Sequence, residues 1–128
     1  MKIISEPFGI HEKVLQARSQ RLELLAGNIA NADTPRYKAQ DIDFKQVLGS
    51  VQRETLQITH PVHFPLSDPS ASVRGVKFRV PFNSSADGNT VELSVEQAQY
   101  GKAAADYRAT LSFIENRTSS IKRALRGE

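Results

Sequence analysis

The sequence predicts a mainly α protein: long N- and C-terminal helices paired as an antiparallel coiled-coil hairpin, with a loop-rich middle segment holding a short β element. Three observations support this. Apolar residues recur at steps of three and four at both ends of the chain, that period is lost between them, and the two regimes meet at a proline-containing polar stop. Residues 1–32 and 94–128 are therefore expected to form one discontinuous rod-like helical domain. Residues 33–93 are expected to supply a corner, an extended segment and a loop or β insert.

The first helix is expected over residues 8–32. Phe8, His11, Leu15, Arg18, Leu22, Leu25, Ile29 and Ala32 follow a period close to seven, the mark of a narrow stripe that meets another helix. His11 and Arg18 interrupt the stripe and are expected at its edge, with their polar ends in water. Asn28, Asn31 and Asp33 bond readily to nearby backbone, which suits a helix exit. Pro35 lacks an N–H and pushes Thr34 out of the α region, so the helix is expected to stop just before it. Beyond the corner, Tyr37, Ile42 and Phe44 read as apolar anchors of an extended segment.

In the middle segment, Val76, Phe78, Val80 and Phe82 alternate with Lys77, Arg79 and Pro81, the pattern of a short half-buried strand. Leu56 and Ile58 alternate more weakly, and residues 61–70 are rich in proline and turn formers. The second long helix is expected from Ser94, which stands three residues before Gln97 at capping-box spacing. Tyr100, Ala104, Tyr107, Leu111, Ile114, Thr118, Ile121 and Leu125 form its seam, and Lys122, Arg123 and Arg126 suit a helix C-terminus. A lone two-helix hairpin buries little surface, so apolar residues off the seams imply that neighbouring subunits complete the packing. Leu15, Leu22, Leu25 and Ile29 on the first helix, with Tyr100, Tyr107, Leu111, Ile114 and Ile121 on the second, are the expected assembly residues.

Composition narrows the function. The 128 residues are 39% hydrophobic and 24% charged, one ordinary domain's worth of chain, and no cysteine is present for disulfides or thiolate metal sites. The net charge of +3 is mildly basic, but Lys and Arg are scattered rather than gathered on one stretch, which argues for a solvated surface over a nucleic-acid footprint. Residues 1–7 lack the apolar run of a cleavable signal peptide, and no stretch is long enough to span a bilayer. His60 and His63 are spaced to share a metal, but real sites need three or four ligands and no third is evident. Asp41, Asp43 and Glu54 have no base or nucleophile at a telling spacing, and no phosphate-binding loop or nucleophile elbow occurs. No catalysis, cofactor, metal or small-molecule substrate is expected.

Two segments carry a family resemblance. Residues 26–38, Ala-Gly-Asn-Ile-Ala-Asn-Ala-Asp-Thr-Pro-Arg-Tyr-Lys, resemble the N-terminal motif of bacterial flagellar rod and hook proteins. With Asp41-Ile42-Asp43-Phe44 they look most like the proximal rod branch of that family, and Asp87-Gly88-Asn89-Thr90-Val91-Glu92-Leu93 resembles its lead into the C-terminal helix. Asn28, Asn31, Ala32, Thr34, Pro35 and Tyr37 are the matching corner residues. Two positions depart: Arg36 stands where the family usually has glycine, and Gly27 where serine or asparagine is common. A bulky residue after the proline points to a type I turn.

The resemblance implies a structural, self-associating subunit of the flagellar basal-body rod, crossing the periplasm and passing torque outward. It further implies export through the flagellar type III channel without a cleaved signal. The implied partners are further copies of the chain, other rod proteins, the rod-base adaptor and the MS-ring protein, with no nucleic acid and no insertion into membrane. The competing expectation from charge alone is a basic helical adaptor for nucleic acid or an acidic partner helix.

Overall fold

The computed structural model describes residues 8–54 and 75–127. Among these, five elements follow in chain order: α1 (Ile10–Ala30), β1 (Gln40–Ile42), α2 (Phe44–Glu54), β2 (Val76–Phe78) and α3 (Leu93–Arg126). The segment around Leu56 and Ile58, the proline-rich 61–70, His60, His63 and residues 1–7 lie outside the described residues.

The fold is mainly helical, with a small two-stranded sheet, as its periodicity predicts. α1 has 21 residues and α3 has 34, or about 31 and 51 Å at 1.5 Å per residue. The two lie against each other along the largest contact among the described elements. Cross-links along it join Asn28 to Glu96 (3.0 Å), Arg21 to Gln99 (3.0 Å) and Arg18 to Asp106 (3.0 Å).

On α1 the expected stripe faces inward: Leu25 is fully buried, and Leu15, Leu22 and Ile29 are half-buried. Ala17 and Asn28 join Leu25 in the buried set. On α3 the seam is rotated from its expected place. The buried residues are Glu96, Ala103 and Thr110, seven apart, while Tyr100, Leu111 and Ile121 remain 36–40% exposed and Tyr107 and Ile114 are half-buried. This corresponds to a shift of one residue, roughly 100° around the helix. Its cause is polar: Glu96 lies on the inward face, with Gln99 and Asp106 at its edge, because the Asn28 amide and the guanidinium groups of Arg18, Arg21 and Arg79 meet them there. Ala103, with its small side chain, lets the helices approach there. Arg18 likewise does not simply reach into water; it pairs with Asp106, and its guanidinium carbon lies 5.4 Å from the centre of the Phe44 ring.

The ends of α3 also differ from expectation at one side. Its N-cap is Glu92, not Ser94, and the helix starts without a side-chain cap bond, so the Ser94–Gln97 box does not form. Glu92 instead accepts the backbone N–H groups of Phe82 and Asn83, both at 3.1 Å, which draws its carboxylate away from the helix. At the other end Gly127 takes the left-handed conformation (φ 73°), with Arg123 and Arg126 in the last turn.

α2 was expected as extended or loop chain. Asp43 caps it: Oδ1 accepts the N–H groups of Lys45 (3.1 Å) and Gln46 (3.3 Å), and the Asp43 carbonyl accepts that of Val47 (3.1 Å). Phe44, Val47 and Leu48 then fall at helical spacing.

The sheet is antiparallel, pairing Gln40 with Phe78, Asp41 with Lys77 and Ile42 with Val76. Backbone bonds continue it at both ends, from Arg79 N to Ala39 O (2.8 Å) and from Asp43 N to Gly75 O (2.7 Å). Gly75 is required there: at φ 127° a Cβ would stand 2.8 Å from Val47 Cγ2. The strand expected through Phe82 stops at Phe78, and its apolar side faces outward. Phe78, Val80 and Phe82 are 68–87% exposed, while Arg79 turns in. Two carboxylates inside, Asp41 and Glu96, outweigh the alternation of the strand.

Candidate functional site

The corner after α1 is built by two distant parts of the chain. α1 ends at Ala30, several residues before Pro35, and Asn31 closes it. The Asn31 backbone N–H and side-chain Nδ2 both donate to the Gly27 carbonyl, at 3.1 and 2.8 Å. Ala32 N–H reaches Ile29 O at 3.2 Å, a tightening i→i+3 bond, and the Thr34 hydroxyl donates to Asn31 Oδ1 at 3.1 Å. The carbonyls left over are met from across the structure. Asn89 Nδ2 donates to the carbonyls of Asn31 (3.0 Å), Ala32 (2.9 Å) and Thr34 (2.8 Å), and its Oδ1 accepts Val91 N–H at 2.7 Å. Asn89 is only 4% exposed. It is a helix cap supplied from more than fifty residues downstream.

The turn itself runs Thr34-Pro35-Arg36-Tyr37, closed by Tyr37 N–H to Thr34 O at 3.3 Å. Arg36 has φ 63°, so the expected type I turn is replaced by one with a left-handed third residue, the type II signature. Tertiary bonds hold it there. Arg36 N–H donates to Asp87 O (3.1 Å), Thr90 N–H to Tyr37 O (3.0 Å), Ala39 N–H to Thr90 Oγ1 (2.8 Å) and Lys38 Nζ to Gly88 O (2.7 Å). The two motif segments, 26–38 and 87–93, are thus the two sides of one joint.

Beneath the joint lies a buried polar cluster. Asn28 Nδ2 donates to Gln40 O (2.8 Å) and Glu96 Oε2 (3.0 Å), while its Oδ1 accepts Gln40 N–H (3.1 Å) and the Tyr37 hydroxyl (3.4 Å). Arg79 bridges Glu96 Oε1 and Asp41 Oδ2, the latter at 2.6 Å. Arg21 grips Asp41 with two nitrogens, at 2.9 and 3.1 Å, and reaches Gln99 Oε1 at 3.0 Å. Asn28 and Glu96 are both 0% exposed. Burial works against ionisation of Asp41. The hydrogen bond and charge of Arg21, with the Ile42 N–H and Arg79, outweigh it and hold the carboxyl below its ordinary value. At the rim, Lys77 and the capped N–H groups lower Asp43, and the Ser85 hydroxyl with the Asn89 N–H lowers Asp87.

Of the residues singled out from sequence, Asn28, Asn31, Thr34 and Tyr37 take direct part in this joint. Ala32 contributes a carbonyl, and Pro35 occupies the exposed turn. The helix-seam residues lie elsewhere, along α1 and α3. Sequence reasoning missed Arg21, Asp41, Arg79, Asn89 and Glu96. Asp41 and Asn89 lay inside the two family motifs without a stated role, and Arg79 was a polar position in the apolar alternation; Arg21 and Glu96 sit in ordinary charged helical patterns and carry no local signal. The carboxylates of Asp41 and Glu96 and the Asn28 amide are bonded within the cluster, so the arrangement fixes geometry and offers no nucleophile with a base. Among the described residues no group of three or more His, Asp or Glu could hold a metal, and no helix is long and apolar enough to cross a membrane.

Comparison with known proteins agrees with the joint's composition. The family described as flagella basal body rod protein matches residues 10–38, which cover α1 and the corner. The flagellar basal body rod protein FlgB of Aeromonas hydrophila is 38% identical over 125 residues, covering 94% of this chain and 93% of that protein. FlgB of Cereibacter sphaeroides is 39% identical over 124 residues, with 96% of each chain covered. FlgB of Salmonella typhimurium is 36% identical over 124 residues, with 91% and 90% covered. The chain belongs to the flagellar basal body rod protein family, a family of structural proteins rather than enzymes, and its near-full-length relatives there are FlgB proteins.

Proposed function

We propose that the chain is a proximal-rod subunit that self-associates through its terminal helices and carries torque from the membrane ring toward the distal rod and hook. In this reading α1 and α3 pair as an antiparallel coiled-coil hairpin, which the order of their cross-links supports. Residues 1–32 and 94–128 form the rod core, and the corner with the middle segment sets the angle at which the next subunit is met. The subunit reaches the periplasmic rod through the flagellar type III channel. It meets there further copies of itself, other rod proteins, the rod-base adaptor and the MS-ring protein.

The observation that carries this reading is the apolar seam left over on α3. Tyr100, Leu111 and Ile121 line a stripe left more than a third exposed, and Leu125 extends it at 83% exposure. An apolar stripe of this kind on a rigid helix is a surface finished by another chain, and a repeated contact that does not close generates a filament.

The test compares Leu111→Asp and Ile114→Asp with the exposed control Ser119→Asp, read by soft-agar motility and by a count of complete basal bodies. The two seam variants should stop rod assembly, because a carboxylate in an apolar contact costs several kcal/mol. Leu111→Asp should do so with the helical circular dichroism of the purified subunit unchanged. Normal rods from both seam variants would rule out α3 as an assembly surface.

A further inference from the structure

We propose that the groove on the flank of α1 receives the basic C-terminal end of α3 from a second copy of this chain. The inference rests on the self-assembly reading above and names the contact that would make it.

The groove is shallow and open, about 620 Å³, and runs along α1 with Tyr107 of α3 at one edge. Leu15 and Tyr107 give it apolar wall, and Glu12 and Glu23 stand along it with no cation among the lining residues. On the α1 helical wheel Glu12 and Glu23 fall together, roughly 60–80° from Leu15, so an acidic edge runs beside an apolar one. The end of α3 has the opposite character. Ile121 and Leu125 share one face, and Lys122 and Arg126, each one residue further, flank that face on a single side. All four are exposed. A basic edge beside an apolar stripe complements an acidic edge beside an apolar wall, in both sign and layout.

The overhang cannot fill the groove of its own chain. Asn28 meets Glu96 and Arg18 meets Asp106, ten residues on along each helix, so Ile10 lies level with about Ile114. At 1.5 Å per residue, α3 then carries residues 121–126 roughly 10–18 Å past the start of α1. A second copy, offset along the axis, brings its overhang to the groove. The contact is head-to-tail, so each copy uses both its groove and its overhang, and the series continues.

Sedimentation velocity of the full chain over a range of concentrations and salt tests this. Glu12→Lys with Glu23→Lys, or Lys122→Glu with Arg126→Glu, should each weaken self-association by roughly tenfold or more, and the wild type should weaken as salt rises. All four substitutions together should recover most of the wild-type association, with helical circular dichroism unchanged throughout. Association unaffected by either pair of reversals, or not recovered by their combination, overturns the groove contact. If Leu111→Asp still abolishes association in that case, self-assembly stands on another face. A wild-type chain that stays monomeric at every concentration overturns both.

Discussion

Asn89 gives the sharpest test of how the joint is held. Its Nδ2 supplies two hydrogens to the carbonyls of Asn31, Ala32 and Thr34, all within 3.0 Å, and its Oδ1 takes the Val91 N–H. Asn89→Ala removes about three net hydrogen bonds from a buried site and leaves acceptors that water does not easily reach. At roughly 0.5–1.5 kcal/mol each, the loss should be about 2–4 kcal/mol. Asn89→Asp keeps the shape and the Val91 acceptor but turns a carboxylate oxygen toward three carbonyl oxygens. Repulsion then adds to the missing donors, so stability should fall in the order Asn, Ala, Asp. Urea unfolding followed by circular dichroism at neutral pH reads the series. A loss under about 0.5 kcal/mol for Asn89→Ala, or an Asp variant as stable as the Ala one, would refute the capping role.

Three other outcomes are expected. Arg36→Gly should raise stability, by up to about 1 kcal/mol, because glycine takes φ 63° without the Cβ penalty although it loses more freedom on folding; a lower melting temperature would count against strain at that residue. Gly27→Ala should also stabilise, by roughly 0.5–1 kcal/mol, since Gly27 lies inside α1 and a Cβ there meets only the Tyr37 hydroxyl at an ordinary 3.8 Å; a destabilised variant would show that the corner needs the bare backbone. Asp41 has a folded-state pKa below its unfolded value, so its contribution is present above the unfolded pKa and disappears as pH falls through the folded one. The stability gap between wild type and Asp41→Asn should therefore narrow below about pH 4, and a gap constant from neutral pH to pH 2 would deny the lowered pKa.

The long helices were legible because their period survives any local detail: α1 and α3 fall within a few residues of their expected bounds. The joint was legible in part, because asparagines and a proline mark a helix exit wherever they occur together. What sequence could not show is which face of a helix turns inward when the interior is polar. The stripe of Tyr100, Leu111 and Ile121 looks like a core seam to any apolar count, yet Glu96 takes the inner face because Asn28 and Arg79 meet it there, and Asp106 pairs with Arg18 at the edge. The carboxylates of Asp41 and Glu96 turn Arg79 inward and leave Phe78 outward, reversing the expected sense of β2. Arg36 is a second case. Local preference steers a bulky residue away from positive φ, but bonds to Asp87 and from Thr90 to Tyr37 fix the turn from outside. α2 went unread because Asp43 looked like one more charge in an extended segment rather than a cap.

The pairing of Asn28, Arg79 and Glu96 has a further consequence for length. Apolar seams tolerate sliding, since one leucine packs much like the next. If α3 slipped by one turn along α1, about 5.4 Å, Glu96 would leave both partners and remain a buried, unmatched carboxylate, at a cost of several kcal/mol. Each subunit is therefore cut to one measure, with the ends of its two helices at a fixed offset. In the stack proposed above, placement errors would accumulate from copy to copy, and a part that cannot stretch or shrink by a helical turn would keep its pitch. The charges at the centre of this protein act as a gauge block.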